Sequence, residues 1–371
     1  MATQQPMTQA QQAAMAEQQD AMLTNLLIAQ STEYYIKGVP VQGSLGSTLN
    51  LPMPNSGIMV GCDLHVTFSY DNTGTSAATA NPIGAQGFIS NIQTSDWYGN
   101  TRHNTSGSRL NSFVSYMLGR PYNRIASSLS EDTADLLYDL PTATGTSTVD
   151  FTLHVPFVKS GSLKGAFLTQ TSNGTCFVNV STLSATAAVS STNPHAPYSA
   201  GTITFGTVTI QPYWRFLMPA NFSAQNLPIL SLSTAYAIQD VRSQANLTVG
   251  ASNLMNFPAA RIIHSQILDF INGDQTNFGS DITSLQIIVN GATPVQTFGP
   301  TEKLIHQRNR LGADDIPGRY YFGYGNMPIN TQIFGSYQME LVPNKVNTGA
   351  YEVLSSEMTY PMGVPLPGLA N

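Results

Sequence analysis

Residues 148–157, TVDFTLHVPF, alternate between apolar and polar side chains at every position. A period of two is typical of a β-strand with one buried face and one wet face. We therefore expect Thr148, Asp150, Thr152 and His154 to face solvent. The apolar side chains that should face a core are Val149, Phe151, Leu153, Val155 and Phe157.

Similar runs recur in two groups, separated by a joint at RFLMPANFSAQNLP (215–228), which contains two prolines. The first group has strand-like runs at 57–70, 148–157, 174–183 and 201–214. The second group has them at 229–241, 261–271, 281–291, 318–325, 331–342 and 351–361. Helical insertions are predicted at 107–122 and 299–312. Two runs of antiparallel strands in series predict an all-β chain of two sandwiches or jelly rolls.

A helical segment precedes these strands: residues 7–31, MTQAQQAAMAEQQDAMLTNLLIAQS, contain no Lys or Arg. A capping box at Thr8–Gln11 starts it, and its apolar residues form one stripe against a Gln-rich face. Such a helix is marginal alone in water and needs a surface to lie on. The apolar stripe comprises Met15, Met22, Leu23, Leu26 and Leu27, which we predict to be assembly residues.

The charge pattern narrows the possible partners. Only 10% of the 371 residues are charged, against about 25% in an average soluble domain. This composition suits either a surface covered by neighbours or long Ser/Thr/Asn loops. The net charge is −6 and no basic run is present, so direct nucleic-acid binding is not expected. We also expect no signal peptide, no transmembrane helix and synthesis in a cytosol.

No catalytic or cofactor motif is present, and we expect no enzymatic activity, no cofactor and no metal. Asp63 and His65 share a strand face, which is a weak metal pattern and more typical of a surface pair. Cys62 and Cys176 are expected to be buried reduced thiols. Three other polar clusters occur in the sequence. Glu131, Asp132 and Asp135 are interpreted as a solvated loop. Asp274, Asn277 and Asp281 form a weak calcium-loop pattern and are more typical of a polar turn between two strands. Lys303, His306, Arg308 and Arg310 favour internal salt bridges over phosphate binding. Trp97 and Trp214 are expected to be packing residues.

Several segments resemble one protein family in the same order along the chain. TQAQQAAMAEQQDAM at the start is similar to its Gln/Ala-rich opening, and LHVPFVKSGSLKGAFLTQ (153–170) to its strand and Val-Pro turn. LPILSLSTAYAIQD (227–240) resembles the start of its second roll. IPGRYYFGYGNMPINTQIFGSYQMELVPNKVNTGA (316–350) resembles its last strands. The family is the major capsid proteins of tectivirus-type bacteriophages, which are tailless and icosahedral with a membrane under the shell. The arm departs from related lipid-contacting arms, which can carry basic residues.

The resemblance implies a double jelly roll of two eight-stranded barrels with an N-terminal helical arm. The implied partners are two further copies in a homotrimer, the capsid lattice, penton and minor capsid proteins, and the internal viral membrane. The implied location is the virion capsid after synthesis in the host bacterial cytoplasm. The expected divisions are arm 1–31, first roll 32–218, linker 219–228, second roll 229–361 and extended tail 362–371.

Two other functions remain open from the sequence. A trimeric phage spike or receptor-binding protein is also β-rich, and would form an isolated trimer with a ligand cleft. A carbohydrate-active jelly-roll enzyme would need two carboxylates about 5–9 Å apart in a cleft lined with aromatic side chains.

Overall fold

The structure is a computed structural model, and it describes most of both strand groups and five isolated positions of the arm. The described residues are Met15, Gln18, Met22, Asn25, Ala29, 31–55, 57–81, 83–95, 101–118, 140–158, 163, 165–167, 176–193, 195–219, 235–244, 248–257, 261–270, 282–290, 293–298, 319–324, 329–331, 336–343 and 351–359.

Strands dominate the part of the chain before the joint. They are β1 (Ser31–Lys37), β2 (Val41–Gly43), β3 (Thr48–Pro52), β4 (Ile58–Asn72), β5 (Thr79–Ala80), β6 (Ile89–Ser95), β7 (Thr101–Thr105), β8 (Gly145–Pro156), β9 (Phe177–Thr182), β10 (Tyr198–Ala200), β11 (Ile203–Phe205) and β12 (Val208–Pro219). The helices among them are a 3-10 turn (Ala85–Phe88), α1 (Gly107–Leu118) and α2 (Ala185–Ala188). The helix predicted at 107–122 is thus confirmed as α1. The arm is helical at its five described positions.

After the joint the described elements are all strands. They are β13 (Ala235–Gln244), β14 (Asn253–Asn256), β15 (Arg261–Phe270), β16 (Ile282–Val289), β17 (Thr293–Phe298), β18 (Arg319–Gly323), β19 (Ile329–Asn330), β20 (Tyr337–Pro343) and β21 (Tyr351–Thr359). The helix predicted at 299–312, the centre of the linker and the tail lie outside the described residues.

The first sandwich encloses the larger core. One sheet has the order β1-β12-β4-β11, with β2 also on β12 and β8 also on β4. The facing strands are β3, β9, β6 and β7, and side chains of both sheets meet in one cluster, for example Leu64, Phe151 and Val180. The alternation predicted for 148–157 is confirmed on its apolar side, because Val149, Phe151, Leu153, Val155 and Phe157 are all buried.

The second sandwich has its own, smaller core between two described sheets. The sheet β14-β20-β16-β17 faces strands β13, β21, β15 and β18, and Leu285, Met339 and Phe322 meet between them. The expected eight strands per roll are not confirmed, because in the first sandwich the six strands of one sheet face four strands of the other.

One nine-stranded sheet runs through both sandwiches, in the order β18-β15-β21-β13-β7-β6-β9-β3 with β19 on β15. The crossing point is a parallel pairing in which Ile238 and Gln239 of β13 lie opposite His103 and Asn104 of β7. The two adjacent strands β15 and β18 of this sheet, which we call the β15–β18 wall, are buried on both faces. Leu268 faces the second core, whereas its neighbour Ile267 joins the first core.

Candidate assembly surface

One face of the arm is uncovered by the chain's own fold. Its described positions follow spacings of three and four, which places Met15, Gln18, Met22, Asn25 and Ala29 on one side of a helix. All five are exposed, and the Met15 and Met22 side chains are 45% and 67% exposed. The other predicted assembly residues, Leu23, Leu26 and Leu27, lie outside the described residues.

The arm leads into β1, which is the outer strand of the six-stranded sheet. β1 pairs only with β12 among the described strands, in a register that runs from Ser31 opposite Pro219 to Lys37 opposite Tyr213. Two tyrosines on β1, one residue just after it and one residue of β12 expose apolar side chains at this edge, on both faces of the sheet. We call Tyr34, Tyr35, Val39 and Met218 the edge patch.

Exposed apolar side chains are concentrated in the arm and the edge patch. The described residues include nine exposed large hydrophobic side chains, and six of them lie here. Because β1 is an edge strand, its outward backbone groups can also pair with another chain. Sequence reasoning missed this patch, although the Tyr-Tyr-Ile run of STEYYIK is typical of a strand.

A row of ionisable side chains links four strands at the root of the arm, and we call it the charge row. Arg215 on β12 donates from Nε to Glu33 Oε1 on β1 at 2.8 Å, and its second terminal nitrogen lies 2.6 Å from the same oxygen. The remaining Arg215 nitrogen lies 3.3 Å from His154 Nε2, and His154 Nδ1 lies 2.6 Å from Asp63 Oδ1. Arg215 also lies over the Tyr35 ring, 5.7 Å from its centre.

This row decides the position of His154. The strand pattern predicted a solvent-facing side chain, but His154 is only 6% exposed. That prediction is wrong because Asp63 and Arg215 from neighbouring strands cover the imidazole. Gly61 makes room for the imidazole, since a Cβ at Gly61 would lie 3.1 Å from His154 Cε1.

The charge of Arg215 is stabilised by its acidic neighbours. Burial alone would lower the pKa of Arg215, but Glu33 and Asp63 outweigh burial and raise it.

The other polar side chains considered as possible metal or catalytic residues do not come together in one described site. Asp63 and His65 bond to different partners, since His65 Nε2 lies 2.8 Å from Asp150 Oδ1. Within the described ranges, no group of three His, Cys, Asp or Glu side chains could hold a metal ion. No described helix has the length and apolarity to cross a bilayer. Several predicted clusters lie outside the described residues: Glu131, Asp132 and Asp135; Asp274, Asn277 and Asp281; Lys303, His306, Arg308 and Arg310.

The buried positions of three residues agree with the sequence expectations. Cys62 and Cys176 are buried thiols, and burial raises the pKa of the Cys62 thiol. Trp214 is 1% exposed and packs in the first core, whereas Trp97 lies outside the described residues.

The two long loops of the first sandwich gather at the end opposite the arm. In the loops at 71–87 and 184–202, β5 pairs with β10, and Asn81 Nδ2 donates to the Ala196 carbonyl at 2.7 Å. β4 separates the two ends: Ile58 lies opposite Leu217 near the arm root, and Asn72 lies opposite Ile203. At about 3.3 Å per residue, β4 places the loops roughly 45 Å from the arm root.

The second group of strands matches a known family by sequence. Residues 233–361 match the family described as P3 major capsid protein C-terminal. This segment includes β13 to β21 in full. No curated protein matches the chain.

Solved structures of low sequence identity share the fold over nearly the whole chain. The STIV MCP aligns with a TM-score of 0.67 at 11% identity, covering 89% of this chain and 97% of that chain. PBCV-1 VP54, fitted into a reconstruction of the virophage Sputnik, aligns with a TM-score of 0.58 at 9% identity and covers 92% and 97%. The major capsid protein P2 from Bacteriophage PM2 aligns with a TM-score of 0.51 at 9% identity and covers 90% and 100%.

The chain is a double jelly roll. The double jelly roll predicted from the sequence is thus confirmed, and the two sandwiches are its first roll (β1–β12) and second roll (β13–β21).

Proposed function

We propose that this chain is the major capsid protein of a tectivirus-type bacteriophage. The observation that carries the proposal is the double jelly roll itself, together with the match of the second roll to a major capsid protein family. The role is structural rather than enzymatic. The chain is made in the host bacterial cytoplasm and ends in the virion shell.

The proposed building block is a homotrimer. Each chain contributes two rolls side by side, so three chains around a threefold axis give six lobes and a nearly hexagonal tile. The shared nine-stranded sheet favours this arrangement because it holds the two rolls of each chain together. Tiles of this outline pack into the facets of an icosahedral shell.

The arm and the edge patch are the proposed contacts beneath the shell. Met15, Met22, Tyr34 and Tyr35 are exposed in the single chain and would be buried against neighbouring copies or the internal membrane. The arm has no basic residue, so contact with an anionic bilayer would rest on apolar burial and on penton or minor capsid proteins. The acidic balance of the chain supports partners other than nucleic acid.

The trimer is tested by negative-stain electron microscopy of the purified full-length protein. We expect class averages with threefold symmetry and six lobes when viewed along the particle axis. A monomer, or an elongated trimer without six lobes, would contradict the capsid function. The elongated trimer would favour a spike or receptor-binding protein instead.

The arm is tested by removing residues 2–30, which stops short of Ser31 because that residue already pairs with Pro219. We expect trimers to persist and closed shells to be lost. Full burial of one Met side chain contributes roughly 2 kcal/mol before ordering entropy is subtracted. The double variant Met15→Ser/Met22→Ser should therefore weaken assembly, whereas Gln18→Ser/Asn25→Ser on the same exposed face is the matched control. Closed particles from the truncated chain would exclude this role for the arm.

A further inference from the structure

The two rolls meet along α1 of the first roll and the β15–β18 wall of the second. The contact includes apolar packing, since Ile238, Ile267 and Tyr321 of the second roll belong to the core cluster of the first. Tyr116 of α1 stacks on Tyr321 with ring centres 4.2 Å apart and planes 2° apart. The contact is therefore part of a hydrophobic core to which both rolls contribute side chains.

A buried carboxylate lies inside the same contact. Asp269 on β15 is 1% exposed and forms ion pairs with one arginine from each roll. Arg319 of the second roll lies with Nε 3.2 Å from Asp269 Oδ1. Arg109 of the first roll lies with Nε 3.1 Å from Asp269 Oδ2. Burial alone would raise the pKa of Asp269, but Arg319 and Arg109 outweigh burial and lower it.

Arg319 also reaches the first roll directly. It is fully buried, and its Nη1 donates to the Ser108 carbonyl and to the Ser112 hydroxyl of α1, each at 2.9 Å. Its other terminal nitrogen donates to Asp269 Oδ2 at 3.3 Å. A single guanidinium therefore bonds to the second roll on one side and to the helix of the first roll on the other.

The remaining contacts constrain the angle between the rolls less. Apolar packing has no direction, and the β7–β13 pairing covers two residue pairs. A guanidinium is planar and offers its donors in a fixed fork, so it defines an orientation. Buried ion pairs also lose most of their attraction to desolvation, and apolar replacements of similar volume are often neutral or stabilising.

We propose that Asp269, Arg109 and Arg319 orient the two rolls relative to each other, while the surrounding apolar contact supplies the stability. These three are positioning residues. The inference concerns the single chain and does not depend on a capsid role. If the capsid role holds, the same three residues keep all six lobes of a tile at one spacing.

The test measures the distance between the rolls in solution. Spin labels are placed on Thr148→Cys in the first roll and Leu254→Cys in the second, both at exposed positions. The native Cys62 and Cys176 are buried and should stay unlabelled. Pulsed electron paramagnetic resonance then gives the distance distribution, which we expect to be narrow in the otherwise unchanged protein.

The decisive variant is Asp269→Leu/Arg109→Met/Arg319→Met. We expect its urea midpoint to be unchanged or higher, and its distance distribution to broaden at least twofold. His65→Leu/Asp150→Leu removes a polar His–Asp contact within the first roll and is the control that should not broaden the distribution. A triple variant with the original width would overturn the inference, and so would one that fails to fold, because the apolar contact would then be insufficient.

A milder variant separates charge from geometry. Arg319→Lys keeps the positive charge but loses the guanidinium fork that bonds to Ser108, Ser112 and Asp269, so we expect intermediate broadening with little change in the urea midpoint. An unchanged width in this variant would show that charge alone sets the angle and would contradict the orienting geometry. Broadening in a protein that forms no six-lobed trimer would leave this inference standing and the capsid proposal refuted.

Discussion

At the scale of single residues, His103 shows how the fold sets the properties of a side chain. The ring is fully buried beneath the junction of β7 and β13. Its Nε2 lies 2.8 Å from the Pro156 carbonyl, which can only accept, so Nε2 carries the proton. Nδ1 then accepts from the Thr94 hydroxyl. Burial dominates and lowers the pKa of His103 to about 4, so the neutral ring is the folded form.

This burial predicts a loss of stability in mild acid. The unfolded chain binds a proton at His103 below about pH 6.5, whereas the folded chain resists it until about pH 4. The free energy of unfolding should therefore fall by about 3 kcal/mol from this residue as the pH drops from 7 to 4. Urea titrations of the wild type and of His103→Gln at both pH values measure it. An equal pH dependence in the two proteins would contradict the assignment.

At the scale of elements, β1 is held to the roll through its pairing with β12. It is a seven-residue edge strand, and Arg215 links it to β12 through Glu33. The two side chains are 26% and 40% exposed, so the ion pair is screened and worth at most about 1 kcal/mol. It acts locally, at the point where the arm joins the roll.

We expect Arg215→Met to loosen β1 without unfolding the roll. A local loss of about 1 kcal/mol corresponds to roughly fivefold faster exchange of the hydrogen-bonded amides of β1. Hydrogen–deuterium exchange of the segment Ser31–Lys37 measures this effect, and Arg215→Lys serves as the control that retains the charge. Unchanged β1 exchange in Arg215→Met would rule out a holding role for the charge row.

At the scale of the whole molecule, the two rolls are joined by a shared sheet and a buried contact. A Pro-bounded joint between two strand groups suggests two independent domains in tandem. The structure instead extends one sheet through both rolls and buries α1 against the β15–β18 wall. Separating the rolls would expose apolar side chains of both to solvent.

This coupling predicts a single unfolding transition. Both tryptophans, Trp97 and Trp214, precede the joint, so their fluorescence reports on the first part of the chain. Far-ultraviolet circular dichroism reports on the strands of both rolls. The two signals should give the same urea midpoint. Two separated midpoints would mean that the rolls unfold independently.

The sequence by itself determined the local structure of this protein. The alternation at 148–157 predicts that Phe151 and Leu153 are buried, and the pattern at 107–122 predicts the helix α1. Both predictions are possible because periodicity depends only on neighbours along the chain. The exposed arm positions Met15 and Met22 could also be named in advance. The edge patch could not, because exposure of Tyr34 depends on which strand is outermost.

Tertiary structure alone decided the contacts between distant parts of the chain. His154 lies on the wet side of its own strand pattern, yet Asp63 and Arg215 enclose it. Asp269 has the sequence context of an ordinary strand residue, and its partner Arg109 belongs to the other roll. No periodicity encodes such pairs, because their energy depends on burial and on geometry that exist only once both rolls have packed together.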